Sequence, residues 1–166
     1  MRINIKNNNA FKNAILLVLL INLTFFFIEF FIAFNIKSVS LFADSIDFLE
    51  DIIVNLILLL LIIFDFKKNY RINMIFVFLM LLPGFTALWA TWYQIINQNP
   101  PNAVQLSTVG LGALLANLSC ALILVRFKNY KGSITLAAFL SARNDAIANI
   151  TIILTGLALI FYRSIW

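Results

Sequence analysis

The chain has 166 residues, 63% hydrophobic and 11% charged, against roughly 45–50% and about 25% in ordinary soluble domains, so a water-soluble globule is close to excluded. It has no histidine and one cysteine, Cys120, which removes Ser-His-Asp and Cys-His catalysis, histidine-ligated haem, internal disulfides and CxxC metal knuckles. No enzymatic activity and no permanently bound cofactor are expected, and the meaning of the net charge of +5 depends on where the basic residues fall.

A bilayer core about 30 Å thick needs roughly 20 mostly apolar helical residues to cross it. Five runs have that length, which predicts an all-α membrane bundle: a cytoplasmic N-terminal segment over 1–13 and a transmembrane domain over 14–166. The first span covers about 14–34; it is too long for a secretory signal and lacks an A-x-A-like cleavage site, so it is read as retained. The second covers about 40–64, and the third about 74–95 with a kink expected at Pro83-Gly84. The fourth, about 106–127, carries Gly110, Ala113, Ala116, Asn117 and Cys120 at small-residue spacings suited to close packing, although Cys120 could also add a soft ligand. The fifth covers about 134–162.

Nine of the twelve basic residues lie on alternate connections: Arg2, Lys6 and Lys12, then Lys67, Lys68 and Arg71, then Arg126, Lys128 and Lys131. The positive-inside rule assigns those connections and the N-terminus to the cytoplasm. Charges divided in this way form no single stripe, so no nucleic-acid partner is expected. The opposite connections, 35–39 and the Asn-Pro-Pro-Asn turn at 99–102, are almost uncharged, and Trp89, Trp92, Tyr93, Tyr162 and Trp166 cluster near outer ends as interfacial aromatics do.

Of the seven acidic residues, six fall within spans: Glu29, Asp44, Asp47, Glu50, Asp51 and Asp145. A charge at the bilayer centre costs at least about 2.5–3.5 kcal/mol, so such residues mark an ion or proton pathway by default. On the second span Asp44, Asp47 and Asp51 share a helical face, with Glu50 at its edge and Asn55 one turn on. Asp47 and Asp51, one turn apart, can converge on one ion; Asp44 reads equally as a hydrated helix end. On the fifth span Ser141, Asp145 and Asn149 share a face, and at 1.5 Å per residue Asp145 and Asp51 meet near the midplane. Arg143 reads as a counter-charge or a snorkelling residue rather than a ligand, and Asn144 points between the two faces. On the first span Asn22 and Glu29, seven apart, form a second-shell or proton-pathway stripe, with helix packing as the other reading of Asn22.

With Ser38-Val-Ser-Leu-Phe-Ala-Asp-Ser-Ile-Asp-Phe-Leu-Glu-Asp on the second span and Asp145-Ala-Ile-Ala-Asn149 on the fifth, the chain resembles the transmembrane part of the cation diffusion facilitator family. The family's His/Asp-x-x-x-Asp ligand pairs fall on Asp47 and Asp51 and on Ser141 and Asp145, where Ser141 departs from the pattern. The resemblance implies export of a divalent metal ion in exchange for protons by a homodimer with a four-ligand midplane site, in a bacterial inner membrane. Asp44, Glu50, Asn149, Asn22 and Glu29 then support the ligands or carry protons. An all-oxygen ligand set favours manganese or iron, stays compatible with zinc, and leaves cobalt and cadmium as further substrates. Family members usually have six spans and often a cytoplasmic metal-binding domain, whereas five spans and no such domain are expected here. That difference carries a second reading, a non-transporting membrane subunit that binds metal or assembles with other membrane proteins.

Overall fold

The computed structural model describes residues 5–64, 81–97, 102–129 and 133–161. Among them every regular element is helical: α1 (Ile5–Ile36), α2 (Val39–Phe64), α3 (Leu82–Asn97), α4 (Ala103–Leu124), a 3-10 turn (Val125–Phe127) and α5 (Ser133–Phe161). The second and fifth helices match the expected spans to within a residue or two. Of the third, 74–80 lies outside the described residues, and Pro83 sits in the first turn of the described helix, where a missing N–H is tolerated. The fourth starts three residues early because Asn102 caps it, its Oδ1 accepting from the backbone N–H groups of Val104 and Gln105 at 3.1 and 3.2 Å.

The first helix begins well before the apolar run, in the segment carrying Lys6 and Lys12, and its 32 residues extend about 48 Å at 1.5 Å per residue. It ends at a left-handed residue, Lys37, with φ 54°, and the N–H of Ser38 donates back to the carbonyl of Ala33 at 3.0 Å. Those features are a Schellman-type stop that satisfies a terminal carbonyl. Ser38 then opens α2, its Oγ accepting from Leu41 N at 3.4 Å. A connection of only two residues makes α1 and α2 an antiparallel hairpin with its register fixed from one end.

Packing divides the bundle into pairs. The most extensive interfaces are α1 with α2 and α4 with α5, and smaller faces join α1 to α4 and α2 to α5, with α3 against α2. Small residues close the α4–α5 pair: a Cβ on Gly156 would fall on Ser107 and within 3.2 Å of Ala103 O, and one on Gly110 would lie 3.1 Å from Ile152 Cγ2. The α1–α2 pair is closed by a heptad stripe of Phe11, Ile15, Val18, Asn22, Glu29 and Ala33 facing inward.

Beside an apolar core, this bundle buries an unusual number of polar groups and exposes many large apolar ones. Buried positions include Asn22, Glu29, Asp44, Asp51, Asn55, Asn117 and Asn149, while Leu20, Phe31, Phe34, Leu115, Leu122 and Leu154 stand exposed. So many exposed large apolar side chains among the described residues mark a surface that meets something other than water. Asn9–Ile36 and Ala103–Phe127 are long and apolar enough to cross a bilayer, which covers two of the five expected spans among the described residues. The second helix has the length, but every eighteen-residue stretch of it includes Asp47, Glu50 and Asp51.

Candidate functional site

The hairpin register lines up residues across α1 and α2 in rungs. Asn22 faces Asp51, Phe25 faces Phe48 and Glu29 faces Asp44. Successive polar rungs are one heptad apart, or about 10 Å at 1.5 Å per residue.

The first rung centres on Asp51, which is 1% exposed. Asn22 Nδ2 donates to Asp51 Oδ2 at 3.4 Å, and Cys120 Sγ donates to Asn22 Oδ1 at 3.3 Å, so a polar chain runs from α4 through α1 to α2. Ser141 of α5 stands beside the same carboxylate. Asn55 lies one turn further along α2 and ties its Nδ2 to the Asp51 carbonyl at 2.8 Å. Asp51 Oδ1 and Asn55 Oδ1 are buried and accept no hydrogen bond among the described residues. Four helices thus supply polar groups around one carboxylate.

Asp145 of α5 is half-buried and lies within electrostatic reach of Asp51, Asp47, Asp44 and Glu50 of α2. Asp47 is half-buried between the two rungs, beside the face rather than at its centre, and Glu50 is buried. Among the described residues no three Asp, Glu, Cys or His side chains are gathered closely enough to hold one ion together. The carboxylates expected to converge are therefore neighbours across the α2–α5 face and not a closed cage.

The second rung joins Glu29 and Asp44, with Asn149 of α5 beside Asp44. Asp44 is as buried as Asp51, at 2% exposed, so it is not a hydrated helix end. Between the rungs the rings of Phe25 and Phe48 stack with centroids 5.7 Å apart, packed against Ala113 and Ala116 of α4.

Arg143 points away from these groups: it is exposed, and its Nη2 donates to Asn144 Oδ1 at 3.1 Å. Cys120 is buried and donates to Asn22 Oδ1, a polar contact that neither reading of it, close packing or a soft ligand, specified. Asn117, grouped in sequence with the small packing residues, is buried with Oδ1 unpartnered among the described residues. Nothing in its spacing among alanines distinguished it from a packing residue.

Buried carboxylates and amide oxygens inside an apolar-surfaced helical bundle are what a membrane protein needs in order to pass cations through a medium that excludes them. The cation efflux transmembrane domain matches residues 15–166, and the chain belongs to that family of metal-cation transporters, the cation diffusion facilitators. No curated protein matches the chain. The chain is accordingly a membrane protein of a metal-cation transporter family.

Proposed function

We propose that the protein is a multi-pass protein of a bacterial inner membrane that exports a divalent metal ion in exchange for protons. Asp47, Asp51, Asp145 and Ser141 are the ion's ligands in this reading. The observation that carries it is Asp51, a buried carboxylate with one oxygen that accepts no hydrogen bond among the described residues and polar groups from three other helices around it.

A bare carboxylate in that position carries an uncompensated desolvation cost of several kcal/mol. Either a proton or a metal ion removes it. The two compete for the same oxygens because a ligand must be deprotonated to coordinate, so metal binding expels protons. Competition at one site couples the two flows when the site opens to one side at a time, and an inward proton gradient then drives metal outward.

The packing suggests what moves. Helices α1 and α2 form one tight pair and α4 and α5 another, with less extensive contact between the pairs. Asp47 and Asp51 lie on the first pair, Ser141 and Asp145 on the second. Sliding one pair against the other draws the ligands together around an ion or parts them, and changes the side to which the site opens. Carboxylate and hydroxyl ligands favour manganese and iron, with zinc, cobalt and cadmium as alternatives. Five crossings with a cytoplasmic N-terminus follow from the basic connections, and a homodimer from the family resemblance.

Metal-dependent proton release from purified protein in a weakly buffered dye solution tests this reading. Wild type releases protons on addition of manganese, and Asp51→Asn and Asp145→Asn do not while remaining folded. Unchanged release from both variants rejects the shared site.

A further inference from the structure

Glu29 and Asp44 face each other in the second rung, from α1 and α2, and are 0% and 2% exposed. All four of their carboxylate oxygens are buried without a hydrogen-bond partner among the described residues. A third helix contributes an independent feature. Asn149 of α5 is 0% exposed and its side chain approaches Asp44; its Nδ2 donates to the carbonyl of Asp145 at 3.0 Å, and its Oδ1 is buried without a partner among the described residues.

Five buried acceptor oxygens from three helices therefore lie together with no geometrically good hydrogen bond among the described residues, and the Asn149 side chain is the one amide that approaches Asp44. Buried polar atoms are almost always paired, and a group in which acceptors so outnumber donors is what remains when the missing partner is positively charged. One proton could serve one oxygen at a time. A divalent cation with oxygen ligands serves all of them, since such ions take carboxylate and amide oxygens together.

We propose that Glu29, Asp44 and Asn149 form a second binding station for the transported divalent cation, distinct from the Asp51 rung. The proposal rests on the functional reading above for the identity of the ion. The stacked Phe25 and Phe48 rings separate the two stations, so one ion cannot bridge them. The second station lies toward the end of the bundle closed by the Lys37–Ser38 turn, with Asp44 only five residues into α2, and it receives the ion as it travels between the Asp51 rung and that end.

Counting bound manganese by electron paramagnetic resonance on the purified full-length protein tests the station. Wild type binds two ions per chain, Asp51→Asn one, Glu29→Gln one, and the combined variant none. Asn149→Leu removes an oxygen but no charge, and it weakens the second ion at least tenfold; Glu29→Asp, which keeps the carboxylate, retains that ion. The last two variants keep the test decisive if Glu29→Gln fails to fold. A wild-type count of one that Asp51→Asn abolishes and Glu29→Gln and Asn149→Leu leave intact overturns the second station and keeps the first. A count that Glu29→Gln lowers and Asp51→Asn leaves intact keeps the second station and overturns the first.

Discussion

Asn22 of α1 donates through Nδ2 to Asp51 Oδ2 of α2 at 3.4 Å and accepts through Oδ1 from Cys120 Sγ of α4 at 3.3 Å. A single amide therefore orients the most buried carboxylate of the first rung and is itself oriented by a third helix. A hydrogen bond to a charged group contributes about 1.5–3 kcal/mol, equivalent to about 10–100-fold in affinity. Asn22→Leu, close in size but unable to donate, is expected to lower manganese affinity at least tenfold while helix content is retained. Isothermal titration of the purified variant measures this, and unchanged affinity would show that Asn22 only packs.

Ser141 stands where the family's ligand pattern has histidine or aspartate, beside Asp51. Nitrogen ligands shift preference from manganese toward zinc. Ser141→His is expected to raise the ratio of zinc to manganese affinity by about tenfold, read from competition between the two ions. A ratio that does not move would take Ser141 out of the ligand set.

The proposed competition of metal and protons for one set of oxygens makes affinity fall as the solution becomes more acidic. Each proton displaced per ion gives about a tenfold change in apparent affinity per pH unit while the site remains protonated. Manganese titrations between pH 6 and 8 are expected to show affinity rising with pH, and Asp145→Asn to flatten the slope. A flat wild-type profile would mean that no proton leaves as metal enters.

Gly156 lets α5 lie directly on α4. A methyl group at this position would overlap the Ser107 hydroxyl and press within 3.2 Å of the Ala103 carbonyl. Overpacking of this kind costs about 1–3 kcal/mol. Gly156→Ala is expected to lower the thermal midpoint in detergent, with Ser107→Ala restoring part of the loss by removing the hydroxyl but not the backbone contacts. Wild-type stability in Gly156→Ala would contradict the close approach.

Much of this arrangement was legible from spacing alone. Asn22 and Glu29 recur at seven residues and do share a buried stripe; Asp44 and Asp51 do share a face of α2, and Asn149 lies on the buried side of α5. Periodicity reports which way a side chain points from its own helix axis, and these are statements of that kind. Which residue meets which across helices was not legible. The pairing of Glu29 with Asp44 depends on the two-residue turn at Lys37–Ser38, and Lys37 takes a left-handed conformation for which lysine gives no signal. Cys120 meeting Asn22 depends on the small α1–α4 face, which no pattern within either helix specifies. The extension of α1 back to Ile5 was hidden for a different reason: hydropathy marks the part of a helix that meets lipid, not where the helix begins.

In the proposed mechanism one carboxylate site exchanges metal for protons across a membrane. Proteoliposomes loaded with a pH dye, challenged in turn with manganese, zinc, iron, cobalt and cadmium, test it most directly when wild type is measured beside Asp51→Asn. Metal-dependent proton flux in wild type that disappears in the variant is the expected result. Equal flux in both, or none with any metal from folded and inserted wild-type protein, would contradict it.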